Sequence, residues 1–337
     1  MDTDGRSAWQ TLLRLINGYQ VSQAIHVAAT LGIADLLNDG PRSVEELARA
    51  TGADPSALGR LLRALASSGL FSRSDDGYQL TPLAEPLRSD VPDTLRAWAI
   101  RVGEPDFWDT WGHLLDAVKT GESPYLALHG MTPWAYREVH PEANEIFNQA
   151  MTALSTGVGD AVVESYDFSG VELLVDVGGG EGALLAAVLS ANSGLRGILF
   201  DQPHVVPEAQ ALLGRAEIAS RCEIVAGSFF DAVPAGADAY LLKSIVHDWD
   251  DEAAGRILRV CRAAIAPGGR LLVVERVIRP GNGPDPATYS DLNMLVMLGG
   301  RERTEDDFER LYAATGFRLT RIVPTASGFS VVEGAPV

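Results

Sequence analysis

The chain has 337 residues, 46% hydrophobic and 21% charged, with 27 Lys and Arg against 45 Asp and Glu. That apolar content excludes a disordered chain, and no apolar run approaches the ~18 residues needed to span a bilayer, so no membrane partner is expected. The balance of 27 − 45 = −18 repels a phosphate backbone and makes nucleic acid a poor partner. The opening Met1-Asp2-Thr3-Asp4 lacks the basic and apolar regions of a secretory signal. Cys222 and Cys261 have no metal-type spacing and build no disulfide framework, so a reducing cytoplasm is expected and no metal.

An apolar helical stretch runs from Trp9 to Leu37 and ends at Asn38-Asp39-Gly40-Pro41. Ser43 with Glu46 three residues on is a capping box that opens the next helix. Asp54 caps another, with Pro55 in its first turn and Leu58, Leu61, Leu62 and Leu65 on one face. Two short strands then flank Asp75-Asp76-Gly77, a hairpin signal. Helix, turn, helix, hairpin is the winged-helix pattern, which raises DNA binding through Arg60 and Arg63. Residues 31–90 carry six Arg and no Lys against nine Asp and Glu, and that charge argues instead for a packing or dimerisation module. From Thr94 to Met151 the chain stays helical and collects large side chains, among them Trp98, Trp108, Trp134, Phe147 and Met151. They serve either as core or as the lining of a flat apolar pocket.

Around residue 165 the pattern changes to short β-branched runs alternating with amphipathic helices, the mark of βαβ units and a parallel sheet. Leu173–Val177 is a buried strand that runs into Gly178-Gly179-Gly180-Glu181-Gly182 and an apolar helix. Strand, glycine loop, helix opens a doubly wound nucleotide-binding sheet. Gly178, Gly180 and Ala183 also satisfy GxGxxG/A, which admits NAD. Asp176, two residues before the first glycine, favours a ligand with an ammonium over a pyrophosphate. Asp201 ends the second strand, where a carboxylate accepts both ribose hydroxyls or caps the following helix. A third strand, Cys222–Ala226, leads into Gly227-Ser228-Phe229. A fourth is expected over Ala239–Val246 and ends in His247, a natural general base at the ligand crevice. A fifth, from Arg270, ends in Glu275.

The ordered segments LVDVGGGEG, FDQPHVV, GSFFD, LLKSIVHDWDDE, APGGRLLVVE and GGRERTEDDFERLYAATGF carry a resemblance. Nearly the whole chain is similar to the S-adenosylmethionine-dependent O-methyltransferases of the caffeate and acetylserotonin type, nearest their bacterial natural-product-tailoring branch. The resemblance implies an α/β fold: a Rossmann-like, doubly wound class I methyltransferase sheet with an N-terminal, mainly helical winged-helix dimerisation domain. It implies a dimerisation domain over 1–95, a helical linker contributing to the substrate pocket over 96–165, and a catalytic domain over 166–337. S-adenosyl-L-methionine is the implied cofactor, held by Ser155, Asp176, Gly178, Gly180, Asp201, Ser228, Phe229 and Lys243. Ser228 stands where many relatives have an aspartate. His247 is the implied base, with Glu275 and Glu302 flanking it, and Glu275 is expected to accept from its second ring nitrogen. Trp134, Phe147, Met151, Asp291, Met294 and Met297 are implied to line the pocket of an aromatic hydroxy acceptor, in a homodimer. Some relatives use this fold for hydroxylation, decarboxylation or ring formation, and a nicotinamide-dependent oxidoreductase is the remaining enzyme alternative.

Overall fold

The computed structural model describes residues 7–214 and 216–337. The Met1–Asp4 segment read above lies outside them. Contacts divide the chain into two compact units. One takes the chain up to Gly112 together with His129–Thr156, and the other takes His113–Leu128 and Gly157–Val337. The helical stretch 96–165 is thus shared between them.

The expected first long helix is broken into α1 (Ala8–Ile16), α2 (Gly18–Thr30) and α3 (Ile33–Leu36). Asn17 ends α1 by giving its N–H to the carbonyls of Leu13 and Leu15, and Gly32 turns the chain with φ 65°. The capping box at Ser43 opens α4 (Val44–Thr51), and Asp54 caps α5 (Pro55–Ser67) through the Ala57 N–H at 2.8 Å. The hairpin β1 (Phe71–Ser74) and β2 (Gly77–Leu80) follows in the expected place. Its turn residue Gly77 has φ 123°, and a Cβ there would lie 2.2 Å from the Arg42 carbonyl oxygen. Leu47, Leu58, Leu62, Leu65, Phe71 and Tyr78 close this core. Next come α6 (Arg96–Arg101), α7 (Pro105–Gly112), α8 (Leu114–Thr120), α9 (Tyr125–His129), α10 (Pro133–Val139), α11 (Pro141–Leu154) and α12 (Val158–Ser165). In the first unit Arg101 and Asp106 form a buried two-pronged ion pair at 2.6 and 2.8 Å. In the second, Ser123 ties the α8–α9 segment to the Val296 carbonyl at 2.6 Å.

The second unit is built on seven strands: β3 (Leu173–Val177), β4 (Arg196–Asp201), β5 (Cys222–Ala226), β6 (Ala239–Lys243), β7 (Arg270–Glu275), β10 (Phe317–Pro324) and β11 (Ser330–Pro336). A separate two-residue ladder joins β8 (Val277–Ile278) to β9 (Arg303–Thr304). The sheet order is β10-β11-β7-β6-β3-β4-β5. The pairs among β3 to β7 are parallel; β11 pairs antiparallel with both β7 and β10. The helices between strands are α13 (Ala183–Ala191), α14 (Val206–Leu213), α15 (Ala216–Ala219), α16 (Asp251–Ala264), α17 (Pro286–Met297) and α18 (Glu305–Ala313). β3, β6 and β7 are apolar almost throughout because both faces of a parallel sheet are covered. Two apolar layers result, one around Leu174, Leu185, Leu199 and Val274, the other around Val175, Tyr240, Ile257 and Phe308.

β3 lies between β4 and β6, so the chain reverses its direction of winding at β3. The register brings Asp201, the last residue of β4, to one edge with Gly178, Gly227 and Ser244, which follow the carboxyl ends of their strands. The fourth strand stops at Lys243, three residues short of its expected end. Ser244 adopts a left-handed φ of 55° and turns the chain into a single 3-10 turn, Val246–Asp248. No helix among the described residues is long and apolar enough to cross a membrane.

Candidate active site

The glycine loop is shaped by what lies beneath it. Gly178 has φ 71°, and a Cβ there would sit 2.4 Å from Ile245 Cδ1. A Cβ at Gly179 would meet Leu199 at 2.3 Å and Asp176 Oδ2 at 2.7 Å. At Gly180, φ 58°, a Cβ would meet nothing within 4 Å, so bare backbone faces open space there. Asp201 supports the loop: its Oδ2 accepts the Gly180 N–H at 2.8 Å and its Oδ1 the Gln202 N–H at 2.6 Å. Burial raises its carboxyl above the ordinary value, against those two bonds.

Asp176 behaves differently from the expectation that it meets a ligand ammonium. It is 1% exposed and lies under the loop, because β3 is covered on both faces. Burial pushes its carboxyl up to about 7, opposed by the charge of Lys243 and assisted by Asp201. Its Oδ2 is a buried acceptor with no hydrogen-bond partner. Burial in turn lowers Lys243, which Asp176 and Asp248 hold up.

After β5, the Ser228 hydroxyl oxygen accepts the Phe230 N–H at 3.2 Å. Phe229 stands beside Gly178 and edge-on to Trp249, ring centroids 6.3 Å apart, and Phe230 meets the same indole at 4.8 Å.

His247 sits in the 3-10 turn beyond β6, its side chain 13% exposed and ringed by carboxylates. Its Nδ1 is 2.9 Å from Glu302 Oε1 and its Nε2 is 3.4 Å from Asp248 Oδ1. A carboxylate only accepts, so Nδ1 carries the hydrogen. Glu275 accepts the backbone N–H of His247 at 2.8 Å. The expected ring contact of Glu275 therefore belongs to Glu302. The cause is placement: Glu275 ends β7 beside the main chain of the turn, whereas Glu302 comes from the loop after α17. Burial opposes a charge on His247, but Asp248, Glu302 and Glu275 outweigh it and raise the imidazole to about 9. Burial drives Glu275 up to about 7, with Glu302 adding to it and His247 and Arg303 resisting.

Glu302 is fixed in turn. Ser290 donates its hydroxyl to Oε1 at 2.7 Å, and Asp291 Oδ1 accepts the Glu302 N–H at 2.9 Å. Asp291, read as an acceptor-lining residue, thus spends one oxygen on the backbone of Glu302. Met294 and Met297 lie buried on the same helix, α17. Trp134, Phe147, Met151 and Ser155 belong to the first unit. There Trp134 and Phe147 meet edge-to-face at 6.5 Å, and the Arg137 guanidinium stacks on both rings. Ser155 caps α11 through the Met151 carbonyl at 3.0 Å. Sequence reasoning missed Asp248, Ser290 and Arg303 as neighbours of this cluster. The last was signalled only by its place next to Glu302.

A doubly wound sheet with an open glycine loop, a carboxylate at the second strand tip and a carboxylate-bound histidine defines a nucleotide-cofactor enzyme of the class I methyltransferase fold. Residues 111–318 match the O-methyltransferase domain and residues 13–90 the O-methyltransferase dimerisation domain. The chain is 46% identical to the phenazine O-methyltransferase PhzM of Lysobacter antibioticus, over 97% of this chain and 96% of that one. The solved structure of LaPhzM superposes with a TM-score of 0.93 at 45% identity, covering 98% of this chain and 100% of that chain. An O-methyltransferase from neocarzinostatin biosynthesis, solved with S-adenosylmethionine and 2-hydroxy-5-methyl naphthoic acid, gives 0.81 at 34% identity over 94% and 96%. The chain belongs to this family of S-adenosylmethionine-dependent O-methyltransferases.

Proposed function

We propose that this enzyme methylates a hydroxyl of a flat aromatic or polyketide-type acceptor, with His247 as general base. The observation that carries the assignment is the His247 ring held at Nδ1 by Glu302, with Nε2 on its other side, at the carboxyl end of β6. Relatives named for phenazine, 3-amino-4-hydroxybenzoate and a dihydroxy naphthoate support an aromatic acceptor. Met294 and Met297, buried on α17, are the apolar residues of the second unit that we assign to the acceptor pocket, with Asp291 on the same helix.

The site fits S-adenosylmethionine. Gly178 and Gly180 offer backbone without side chains, and Asp201 keeps lone pairs for two ribose hydroxyls beyond its bonds to the loop. Phe229 gives an apolar face for the adenine, and Ser228, its oxygen already accepting from Phe230, has its hydroxyl hydrogen for the base edge. Asp176 lies beneath the loop, with the charge of Lys243 facing it. When bound, the cofactor supplies a methyl already activated by the sulfonium charge.

An aromatic hydroxyl, with a pKa near 10, needs its proton removed as it attacks. His247 takes that proton at Nε2, while Glu302 accepts from Nδ1 and stabilises the imidazolium that forms. At pH 7 the resting imidazole is mostly charged. A second positive charge in the site makes it release that proton more readily, since like charges disfavour each other. Residues 1–95 we assign to dimerisation, 96–165 to the acceptor pocket and 166–337 to catalysis. α1 buries none of its residues, and Trp9, Leu12, Leu15, Ile16 and Tyr19 are each more than half exposed, an apolar face suited to a second copy of the chain.

The test is His247→Ala. Calorimetry with S-adenosylhomocysteine is expected to give an unchanged Kd, while methyl transfer to hydroxyphenazine or hydroxynaphthoate probes falls by ~10²–10⁴. Undiminished turnover in the variant removes His247 from the role.

A further inference from the structure

The segment that carries His247 has little rigidity of its own. Ser244, just upstream, holds a left-handed backbone that a side chain disfavours. The two backbone bonds inside the turn are long: Asp248 N–H to the Ile245 carbonyl at 3.3 Å and Trp249 N–H to the Val246 carbonyl at 3.4 Å. Its shape is imposed from outside: Glu275 accepts the His247 N–H, and one side chain holds two of the turn's carbonyls. Arg303 is fully buried. Its Nη1 donates to the Val246 carbonyl at 2.9 Å and its Nη2 to the Trp249 carbonyl at 3.1 Å, so one planar group grips the chain on both sides of His247 and Asp248. Nε and Nη2 also reach Asp251 Oδ1 at 3.1 and 2.9 Å, which fixes the plane of the fork against the start of α16.

The backbone beside Arg303 adds a second grip. The Arg301 N–H donates to the His247 carbonyl at 2.8 Å, and a Cβ at Gly300 would fall 2.1 Å from that same oxygen. Arg303 itself is anchored by its β9 pairing with Val277, two residues after Glu275. A fully buried guanidinium is costly to desolvate. Packing alone would be met by an apolar side chain, whereas two carbonyls on either side of a histidine call for a rigid fork.

We propose that Arg303 is a positioning residue for the methyl transfer: its guanidinium sets the place of the His247 ring by clamping the carbonyls of Val246 and Trp249. The proposal rests on His247 being the base. Lysine at 303 keeps the charge but offers a single point of attachment, so Arg303→Lys separates clamping from charge. Arg303→Lys is expected to fold, to bind S-adenosylhomocysteine within about twofold of the parent, and to keep its acceptor KM. Its kcat with a hydroxyphenazine probe is expected to fall about 10- to 100-fold, the size of loss that misplacing a reacting group causes. The His247 imidazole signal in NMR is expected to broaden or double in the variant.

A kcat within twofold of the parent with a single sharp His247 signal overturns the proposal. So does a loss of kcat matched by an equal loss of S-adenosylhomocysteine affinity, which marks a general structural role. Should Arg303→Lys not fold, Asp251→Asn loosens the same fork from its exposed side. A several-fold loss of kcat at unchanged Kd is then expected, and unchanged kcat refutes the clamp. His247→Ala measured alongside separates the two readings. An active His247→Ala sinks the base assignment, whereas an inactive one beside a fully active Arg303→Lys sinks the clamp alone.

Discussion

Replacing Glu302 by Gln removes a charge while leaving an oxygen in place. The amide Oε1 can still accept from His247 Nδ1 and from the Ser290 hydroxyl, now 2.9 and 2.7 Å away. A hydrogen bond to a charged group is worth about 1.5–3 kcal/mol net and one between neutral groups about 0.5–1.5, so the imidazolium loses roughly 1–1.5 kcal/mol of support. At about 1.4 kcal/mol per tenfold, its pKa falls by about one, from about 9 toward about 8. The assay is an NMR titration of the imidazoles. The chain has six histidines, and the His247 signal is the one missing from a His247→Gln spectrum. Methyl transfer adds a kinetic check. A less basic His247 is neutral at lower pH but takes a proton less strongly, so the onset of activity moves down in pH while the alkaline plateau drops. The two pH–rate curves are expected to cross. An His247 pKa unchanged in the variant refutes the view that Glu302 holds the charge of this ring.

Asp201→Ala removes the partner of the Gly180 N–H and the two ribose contacts proposed for it, and is expected to weaken S-adenosylhomocysteine binding at least tenfold by calorimetry, with little change in thermal midpoint. A paired change, Leu12→Asp with Ile16→Asp, puts charge on the exposed face of α1 and is expected to halve the mass seen by light scattering; an unaltered mass removes α1 from the interface. Thermal stability is expected to fall from pH 6 to pH 9.5. His247 titrates above its ordinary 6.5, so its contribution, of order 3 kcal/mol, is complete below that value and is lost as pH passes about 9. Glu275 and Asp176 act in the same direction at lower pH: each loses stability from its ordinary carboxylate range up to about 7, so they add only to the acid end of this window, and the decline above pH 7 belongs to His247. A midpoint that stays level between pH 7 and 9, or a His247→Gln variant with an undiminished decline there, contradicts the linkage.

Much of this was legible in the sequence because it is local. A strand, a glycine loop and a helix within some twenty residues announce a ligand edge wherever they occur, and Leu173–Val177 and Cys222–Ala226 form strands with the expected limits. The capping box at Ser43 and the turn at Gly77 are of the same kind. What escaped depends on contacts distant along the chain. Lys243 ends its strand early because Ser244 turns left-handed, and Ser244 does so within a turn held by residues more than fifty positions away. The division of labour between Glu275 and Glu302 follows from which one ends a strand and which sits on a loop, and composition is silent on that. Arginine is rarely buried whole, so nothing in the composition around Arg303 marks it as interior. Asp291, implied only to line the acceptor pocket, also accepts the Glu302 N–H, a contact eleven residues along the chain.

The interlock between the His247 turn and the Gly300–Arg303 loop bears on how such enzymes can be recombined. These two pieces lie more than fifty residues apart, yet they are fitted to each other: a side chain at 300 would strike the carbonyl of 247, and Arg303 holds the carbonyls on either side of it. α17, which we assign to the acceptor pocket, precedes this loop by only a few residues. A chimera that imports a foreign α17 to change the acceptor also imports its loop, and so half of a fitted pair. The unit of exchange is therefore α17, its loop and the turn after β6 together, and a swap of fewer pieces trades catalysis for a new pocket.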